Sequence, residues 1–534
     1  MKKFDAVIVG SGFGGAVTAA RLAQAGLDVC ILERGRWWGA DAQTAAPAGS
    51  AGGSSESRVE RLKERPERRA FPRGVRQVAG AVRNVRINRG RVHTNRMRDP
   101  EGLYELHLHR HLDLLTASGV GGGSLVYTNM QVQPDHDFFD AFPAELRAGE
   151  LAPYFDRVRE MLRPEPVGRR PPKNVVFEDG LRAVGRDRDL EYPDLAVAHG
   201  DPDHPTAIVN AAGVSQTSCN WCGNCVLGCM ERAKTTLDLT YIPAALAAGA
   251  KLRTLAEAEV FAPIDRGGAG RATSPGATGW DVRYHDHETG RRRRVFGDRL
   301  ILSAGTLGTL RLLLAARDRY RTLGGLSDQL GRHFSGNADQ GALLLGTRTE
   351  FRSSVGPSVN AFLRHRAPEA SSVHRFLAGE FGIPADGLKW PAPLRRSLDS
   401  ALMLIYMGAG AGHGQVRIEG TELDIDQANS HDGELFAAFD AETESLARTF
   451  GAGRVVKRLA TGRGHDANFS VHPLGGAAIA DDPGRGVCDH AGRVFAAVNL
   501  YVADGSLYPT APGLPPSMTI SALAERVAEL ISRE

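Results

Sequence analysis

Four cysteines fall within eleven residues, Cys219, Cys222, Cys225 and Cys229, in the pattern C-x2-C-x2-C-x3-C. Thiolates at this spacing can wrap an iron–sulfur cluster, and the pattern is that of a bacterial ferredoxin loop without the proline that often follows. Two other readings stay open: a cysteine-lined structural loop with or without a disulfide, and a zinc site, for which the spacing is unusually compact. A second constellation is Gly10-Ser11-Gly12-Phe13-Gly14-Gly15. In G-x-G-x-x-G the first glycine permits a tight turn, Gly12 lets backbone approach a pyrophosphate, and Gly15 lets a helix pack close to a strand. The helix N-terminus then offers free N–H groups to phosphate. Glu33 stands near the roughly 20-residue offset of a carboxylate that binds ribose hydroxyls, and an acid there disfavours NADP. The unit alone leaves FAD and NAD undecided.

Residues 118–129, SGVGGGSLVYTN, hold four glycines in five positions. Backbone so bare must lie against something flat or bulky, and an isoalloxazine ring is a good candidate. Gly119, Gly122, Gly123, Ser124 and Asn129 are the expected contacts. Near the C-terminus, His472 is followed by Pro473, Leu474, Gly475 and Gly476, which fix its backbone. Asp504-Gly505 closes a later apolar run, and Pro515-Pro516-Ser517-Met518 leads into a final helix whose first amides can face an electron-rich group.

The elements that must position these residues are legible as patterns. Phe4–Val9 reads as a buried strand, 16–25 as a helix and 27–32 as a second strand, which makes one β-α-β unit. Residues 296–315 read strand, glycine turn, helix; 498–506 read as a strand; 518–531 read as a closing helix. Cofactor-type elements thus lie at both ends and in the middle, and the cofactor domain is discontinuous. Residues 46–57, APAGSAGGSSES, read as a flexible surface loop. Thirteen Arg/Lys against three Glu between Arg58 and Arg96 read as a solvated basic surface or as a patch for an anionic substrate, an acidic redox partner or a membrane surface.

The chain has 534 residues, 42% hydrophobic and 24% charged, with a net charge of +3. That is long enough for two or three domains with a buried core, and too weakly basic overall to point to nucleic acid. The sequence shows no signal-peptide pattern and no run of about 18 apolar residues, so the expectation is a cytoplasmic protein with at most peripheral membrane contact. A reducing compartment disfavours disulfides in the cysteine cluster.

Taken together, GSGFGG, GVGGGSLVYTN, ILSAGTLGTLRLLL at 301–314, LGRHFSGN at 330–337 and HPLGG through the last helix resemble the glucose-methanol-choline (GMC) oxidoreductases, on the cholesterol oxidase-like branch. Order and spacing match over most of the chain; residues 340–460 match poorly, and that is where such families build the substrate pocket. The resemblance implies an α/β fold. A discontinuous Rossmann-type FAD-binding domain (1–44, 217–339, 462–534) would join an α+β substrate domain (45–216, 340–461) with a mostly antiparallel sheet. It implies FAD as cofactor and hydride transfer from the CH–OH group of a hydrophobic, steroid- or terpenoid-like alcohol to flavin N5. His472 falls on the active-site histidine, amides near Gly122, Gly123 and Met518 would line the flavin, and Val260 falls where the family contacts adenine. Glu380 lies in a stretch that loosely resembles the site of an isomerisation carboxylate; the other reading is an exposed or ion-paired Glu. The electron acceptor would be O2, a quinone or a protein. Some bacterial relatives carry an iron–sulfur cluster near the cysteine loop. One departure is Pro515, where the family usually has Asn or His. It opens an alternative: a specialised-metabolite enzyme performing desaturation, isomerisation or another flavin reaction. A flavoprotein without substrate turnover is a third reading, against which His472 argues.

Overall fold

The protein is described by a computed structural model covering residues 3–38, 69, 71–89, 92–265, 277–366, 375–410, 412–427, 432–458 and 468–534. The polar stretch 46–57 lies outside the described residues.

The opening strand, Lys3–Val9, is apolar at nearly every position because both of its faces are covered. It pairs in parallel with Val29–Leu32 on one side and Arg291–Leu302 on the other. Lys251–Arg253 and Leu500–Val502 extend this parallel core, and Ala277–Asp286 and Ala256–Asp265 add an antiparallel edge. One sheet of seven strands therefore gathers segments from both ends and the middle of the chain. The first helix, Phe13–Gln24, is rich in Gly and Ala, which lets it lie close to the sheet, and the last helix, Ser517–Ser532, packs beside it. Their contact is locked by Arg21, which donates at 2.7 Å to the fully buried Glu525. Tyr241 donates to the same carboxylate at 2.8 Å. Removing one partner of such a buried pair costs about 3–5 kcal/mol.

Among the described residues two larger sheets, with three two-stranded ones, build the rest. Six strands, in the order 454–456, 340–345, 401–408, 376–381, 362–365 and 190–191, are antiparallel throughout. One face of this sheet carries Leu402, Leu404 and Tyr406 into a core with the helix Gly433–Phe450. By alternation the other face presents Met403, Ile405 and Met407 to the cavity described below. A mixed sheet of five strands runs 468–470, 112–117, 104–109, 82–89, 92–97. Among the described residues no helix is long and apolar enough to cross a membrane.

Candidate active site

The loop after the opening strand turns sharply at Gly10, whose φ is +99°. A Cβ on Gly14 would lie 1.3 Å from the carbonyl oxygen of Ala503, and one on Gly15 would lie 2.1 Å from that of Gly10. These two glycines let the helix seat on the sheet. Gly12 differs: a Cβ there would meet nothing nearer than Gly122 Cα at 3.9 Å. Its bare backbone instead faces a cavity of about 660 Å³, which Gly10, Gly14, Gly122 and Gly123 also line. The fingerprint and the second glycine cluster, over a hundred residues apart, thus meet across one trough.

At one end of the trough Glu33 is buried. Its carboxylate accepts from Ser11 N at 3.1 Å, Ser11 Oγ at 2.6 Å and Gly35 N at 2.8 Å. Here the cavity is walled by Arg34, Glu105 and Glu257. Arg34 pairs with Glu105 at 2.9 Å, and Glu257 takes Arg83 at 2.9 Å and Arg311 at 3.2 Å. Burial pushes both acids up, but the surrounding cations hold each below the usual carboxylate range. The same sheet continues with His107 and His109. Burial, with His107 and Arg89 nearby, pulls His109 down to about 3, so its imidazole is neutral at pH 7.

His472 lines the same cavity. The segment that carries it is pinned: Thr306 donates to Pro473 O at 2.6 Å, Leu474 N to Ser335 O at 2.8 Å, and Gly475 N to Gly505 O at 2.9 Å. Asp339, 6% exposed, accepts from His472 Nδ1 at 2.8 and 3.0 Å. One of its oxygens also accepts from Ser470 Oγ at 3.0 Å and Val471 N at 2.9 Å. With Nδ1 held by a carboxylate, Nε2 is the ring nitrogen presented to the cavity, as an acceptor. Asp339 was not among the residues singled out from the sequence. It lies 133 residues from its partner, and it reaches the ring because Asn337 and Ala338 turn the chain at positive φ. Asp504 closes this wall: it accepts from Ser506 N at 2.9 Å and Thr309 Oγ at 2.5 Å, and burial raises its carboxyl. Gly505 lines the cavity beside it.

Other expected contacts fall differently. Val260 does not line the cavity; Ala256 and Ala258 do, because the strand leaves the cavity edge at a bulge between Ala258 and Val260. Met518 points into the core, and Ser517 and Ile520 take its place on the wall with Pro515 and Pro516, since the helix rotates Met518 inward. Gly119 packs on Trp38, where a Cβ would come within 2.7 Å of the indole. Ser124 braces the glycine turn by donating to Gly121 O at 2.7 Å. Asn129 is fully buried, and among the described residues neither its amide oxygen nor its nitrogen has a partner; its neighbours Thr128 and Met130 line the cavity. Glu380 is ion-paired, not in the cavity as a catalytic carboxylate would be. It is buried outside the cavity, where it pairs with Lys173 at 2.9 Å and accepts from Asn360 N at 2.9 Å and Asn174 Nδ2 at 3.0 Å. Phe381 lines the cavity instead, so strand alternation turns the carboxylate away from any substrate there.

Bare backbone at Gly12, an acid at Glu33, orphaned amide atoms at Asn129 and a long trough fit a dinucleotide whose flavin ends near His472. Comparison with known proteins agrees. The family model for GMC oxidoreductases matches residues 430–524, and that for NAD(P)-binding Rossmann-like domains matches 8–62. A cholesterol oxidase of Acinetobacter baumannii is 25% identical, the match covering 99% of this chain and 94% of that one. A cholesterol oxidase of Mycobacterium tuberculosis is 28% identical, covering 99% and 91%.

The chain resembles the GMC oxidoreductases along nearly its whole length.

By that resemblance it is an FAD-dependent enzyme. Pyridoxine 4-oxidase from Mesorbium loti shares the fold at a TM-score of 0.61 and 18% identity, over 99% of each chain.

The four cysteines are unpaired and border one small enclosed cavity, separate from the flavin trough. Among the described residues no three His, Cys, Asp or Glu are drawn together tightly enough for a single metal ion. The loop touches the trough through Val226, which lines it next to Tyr127.

Proposed function

We propose that this enzyme oxidises the CH–OH group of an apolar alcohol, with His472 taking the hydroxyl proton at Nε2. The observation that carries this reading is the carboxylate of Asp339 on Nδ1, which fixes the tautomer a base needs. When bound, FAD supplies the hydride acceptor, flavin N5. The carbinol carbon gives up a hydride and the oxygen gives up a proton, which leaves a carbonyl. The chain's own residues do the holding. The turn at Gly10–Gly15 would receive the pyrophosphate and Glu33 the ribose. The bare stretch at Gly122–Gly123 would lie against the ring, and Asp504, Gly505 and the start of the final helix, which line the same cavity, would help to hold it. Met130, Phe381, Met403, Ile405 and Met407 make the His472 end apolar and exclude water from the reacting carbon. That lining, and the similarity to cholesterol oxidases, support a steroid- or terpenoid-like substrate. Anaerobic mixing of the yellow protein with sterols and aliphatic alcohols tests the reading: an alcohol must bleach the flavin, and His472→Ala must retain FAD but lose most of that response.

Pro515 favours a second reading. It lines the cavity where the family usually places a hydrogen-bonding side chain, and proline offers none. With one positioned group in place of two, a desaturation or isomerisation of a specialised metabolite becomes competitive. Product formed without net bleaching would identify it.

For the electrons' exit we propose an iron–sulfur group on Cys219, Cys222, Cys225 and Cys229. Four unpaired thiols spread around a cavity suit the corners of a polynuclear cluster better than a single zinc ion. Such a group would supply a one-electron path toward a quinone or protein acceptor, in place of O2. Iron and acid-labile sulfide in anaerobically purified protein test it, and absence of both after reconstitution rejects it.

A further inference from the structure

Lys234 is 1% exposed, and its ammonium is fully engaged by backbone oxygens: Leu125 at 3.2 Å, Tyr127 at 2.7 Å and Cys225 at 2.9 Å. Two of these carbonyls belong to the glycine-rich segment that walls the flavin trough, and the third belongs to the cysteine loop. The ammonium also lies 4.8 Å from the centre of the Tyr127 ring, itself part of the trough wall. One residue is therefore bonded to both walls.

Its charge has no evident counterpart. Among the described residues no carboxylate forms an ion pair with Lys234, and the nearby Asp238 is held by Arg69. A cation enclosed this way is strongly unfavourable unless an anion faces it. Besides Glu231, which has a partner of its own, the negative charge available is sulfur, since Lys234 lines the same small cavity as the four cysteines. The rest of the loop is prepared for anionic sulfur too. Ala233 N–H donates to Cys229 Sγ at 3.3 Å. The Arg73 guanidinium, which donates to Gly228 O at 2.8 Å and Leu227 O at 3.3 Å, brings a second cation to the edge of the loop.

We propose that Lys234 is the counter-charge of the cysteine-held group and the tie that joins it to the flavin wall. This rests on the iron–sulfur reading above. Lys234 is a positioning residue: it touches neither substrate nor flavin in this account, and acts by favouring negative charge on the loop. Net charge and hydrogen bonds to sulfur set the potential of such groups. Removing the cation must therefore lower the potential or empty the loop.

The test uses full-length protein purified anaerobically and reconstituted with ferrous iron and sulfide, as wild type, Lys234→Gln and Lys234→Arg. Glutamine keeps donors for the carbonyls but no charge; arginine keeps the charge. Iron, sulfide and FAD per chain are measured, followed by a reductive titration monitored by electron paramagnetic resonance. The expected result is that Lys234→Gln keeps its FAD and either holds several-fold less iron or titrates at a lower potential, with Lys234→Arg close to wild type. Equal iron and equal potential in wild type and Lys234→Gln overturns the role of Lys234 while leaving the cluster standing. Wild type that takes up no iron and sulfide overturns both. Should Lys234→Gln shed its FAD, Arg73→Gln decides, because its side chain is partly exposed: a lowered potential or iron content supports the charge argument, and no change in either overturns it.

Discussion

Replacing Asp339 by asparagine changes one atom and asks whether the His472 tautomer matters. In the native site one oxygen of Asp339 accepts from Val471 N at 2.9 Å and Ser470 Oγ at 3.0 Å. An asparagine must place its amide oxygen there, because Val471 N–H can only donate. Its NH2 then takes the place of the other oxygen, which faces His472 Nδ1 at 3.0 Å. Where that NH2 donates to Nδ1, displacing the amide oxygen 2.8 Å away as its partner, the ring proton moves to Nε2, where a base needs a lone pair. Loss of the charge-assisted hydrogen bond alone is about 1.5–3 kcal/mol. That converts to a rate loss of roughly 10- to 150-fold. A tautomer fixed the wrong way raises the loss toward roughly 10⁴-fold, the scale known for the same change in a Ser-His-Asp triad. The assay is stopped-flow anaerobic flavin reduction by an alcohol that bleaches the wild type, with FAD content and thermal unfolding as controls for the fold. Asp339→Asn is expected to reduce at least tenfold more slowly with FAD content unchanged. A rate within about threefold of wild type would refute the reasoning.

Gly12 and Gly14 should separate cofactor binding from folding. Gly12→Ala has room within the protein and is expected to keep its unfolding temperature while FAD affinity falls at least tenfold; Gly14→Ala, driven into Ala503, is expected to cost more than the usual 1–3 kcal/mol of overpacking and give little folded protein. Glu380→Gln, which leaves Lys173 buried without its carboxylate, is expected to lower stability by about 3–5 kcal/mol with the flavin spectrum of the folded fraction unchanged; an intact stability with altered product would restore a catalytic role. His109 has a folded pKa of about 3, below its unfolded value, so the unfolded chain takes up the proton first, and stability present above about pH 6.5 is lost as pH falls toward 3. Between pH 7 and 5 that loss is about 2 kcal/mol, and His109→Gln should remove it from the denaturant-measured pH dependence; an unchanged slope would contradict the burial argument.

The parts of the site that were legible in the sequence are those fixed by local geometry. Glycine spacing dictates where a turn tightens and where a helix approaches a strand, so the Gly10–Gly15 turn and the bare 119–123 stretch can be read without a fold. The unpaired cysteines share one cavity because they share one loop. What escaped depends on rotation and long-range closure. Glu380 and Phe381 are adjacent, and only the packing of their strand against Lys173 decides which faces the cavity. Met518 and Ser517 trade places through the phase of a helix, and Ala258 replaces Val260 because of one bulge. Asp339 follows LGRHFSGN directly enough to have been a candidate, but its value to His472 appears only once two strands from different sheets are brought side by side.

The claim that hydrogen leaves the carbinol carbon for a flavin seated beside His472 is tested most directly by an isotope effect. Purified yellow protein is mixed anaerobically with an alcohol that bleaches it, carrying either hydrogen or deuterium on the carbinol carbon. Bleaching several-fold slower with deuterium, and nearly abolished in His472→Ala, is the predicted result. A protein that remains colourless when supplied with FAD, or that bleaches at one rate with either isotope and without His472, would contradict it.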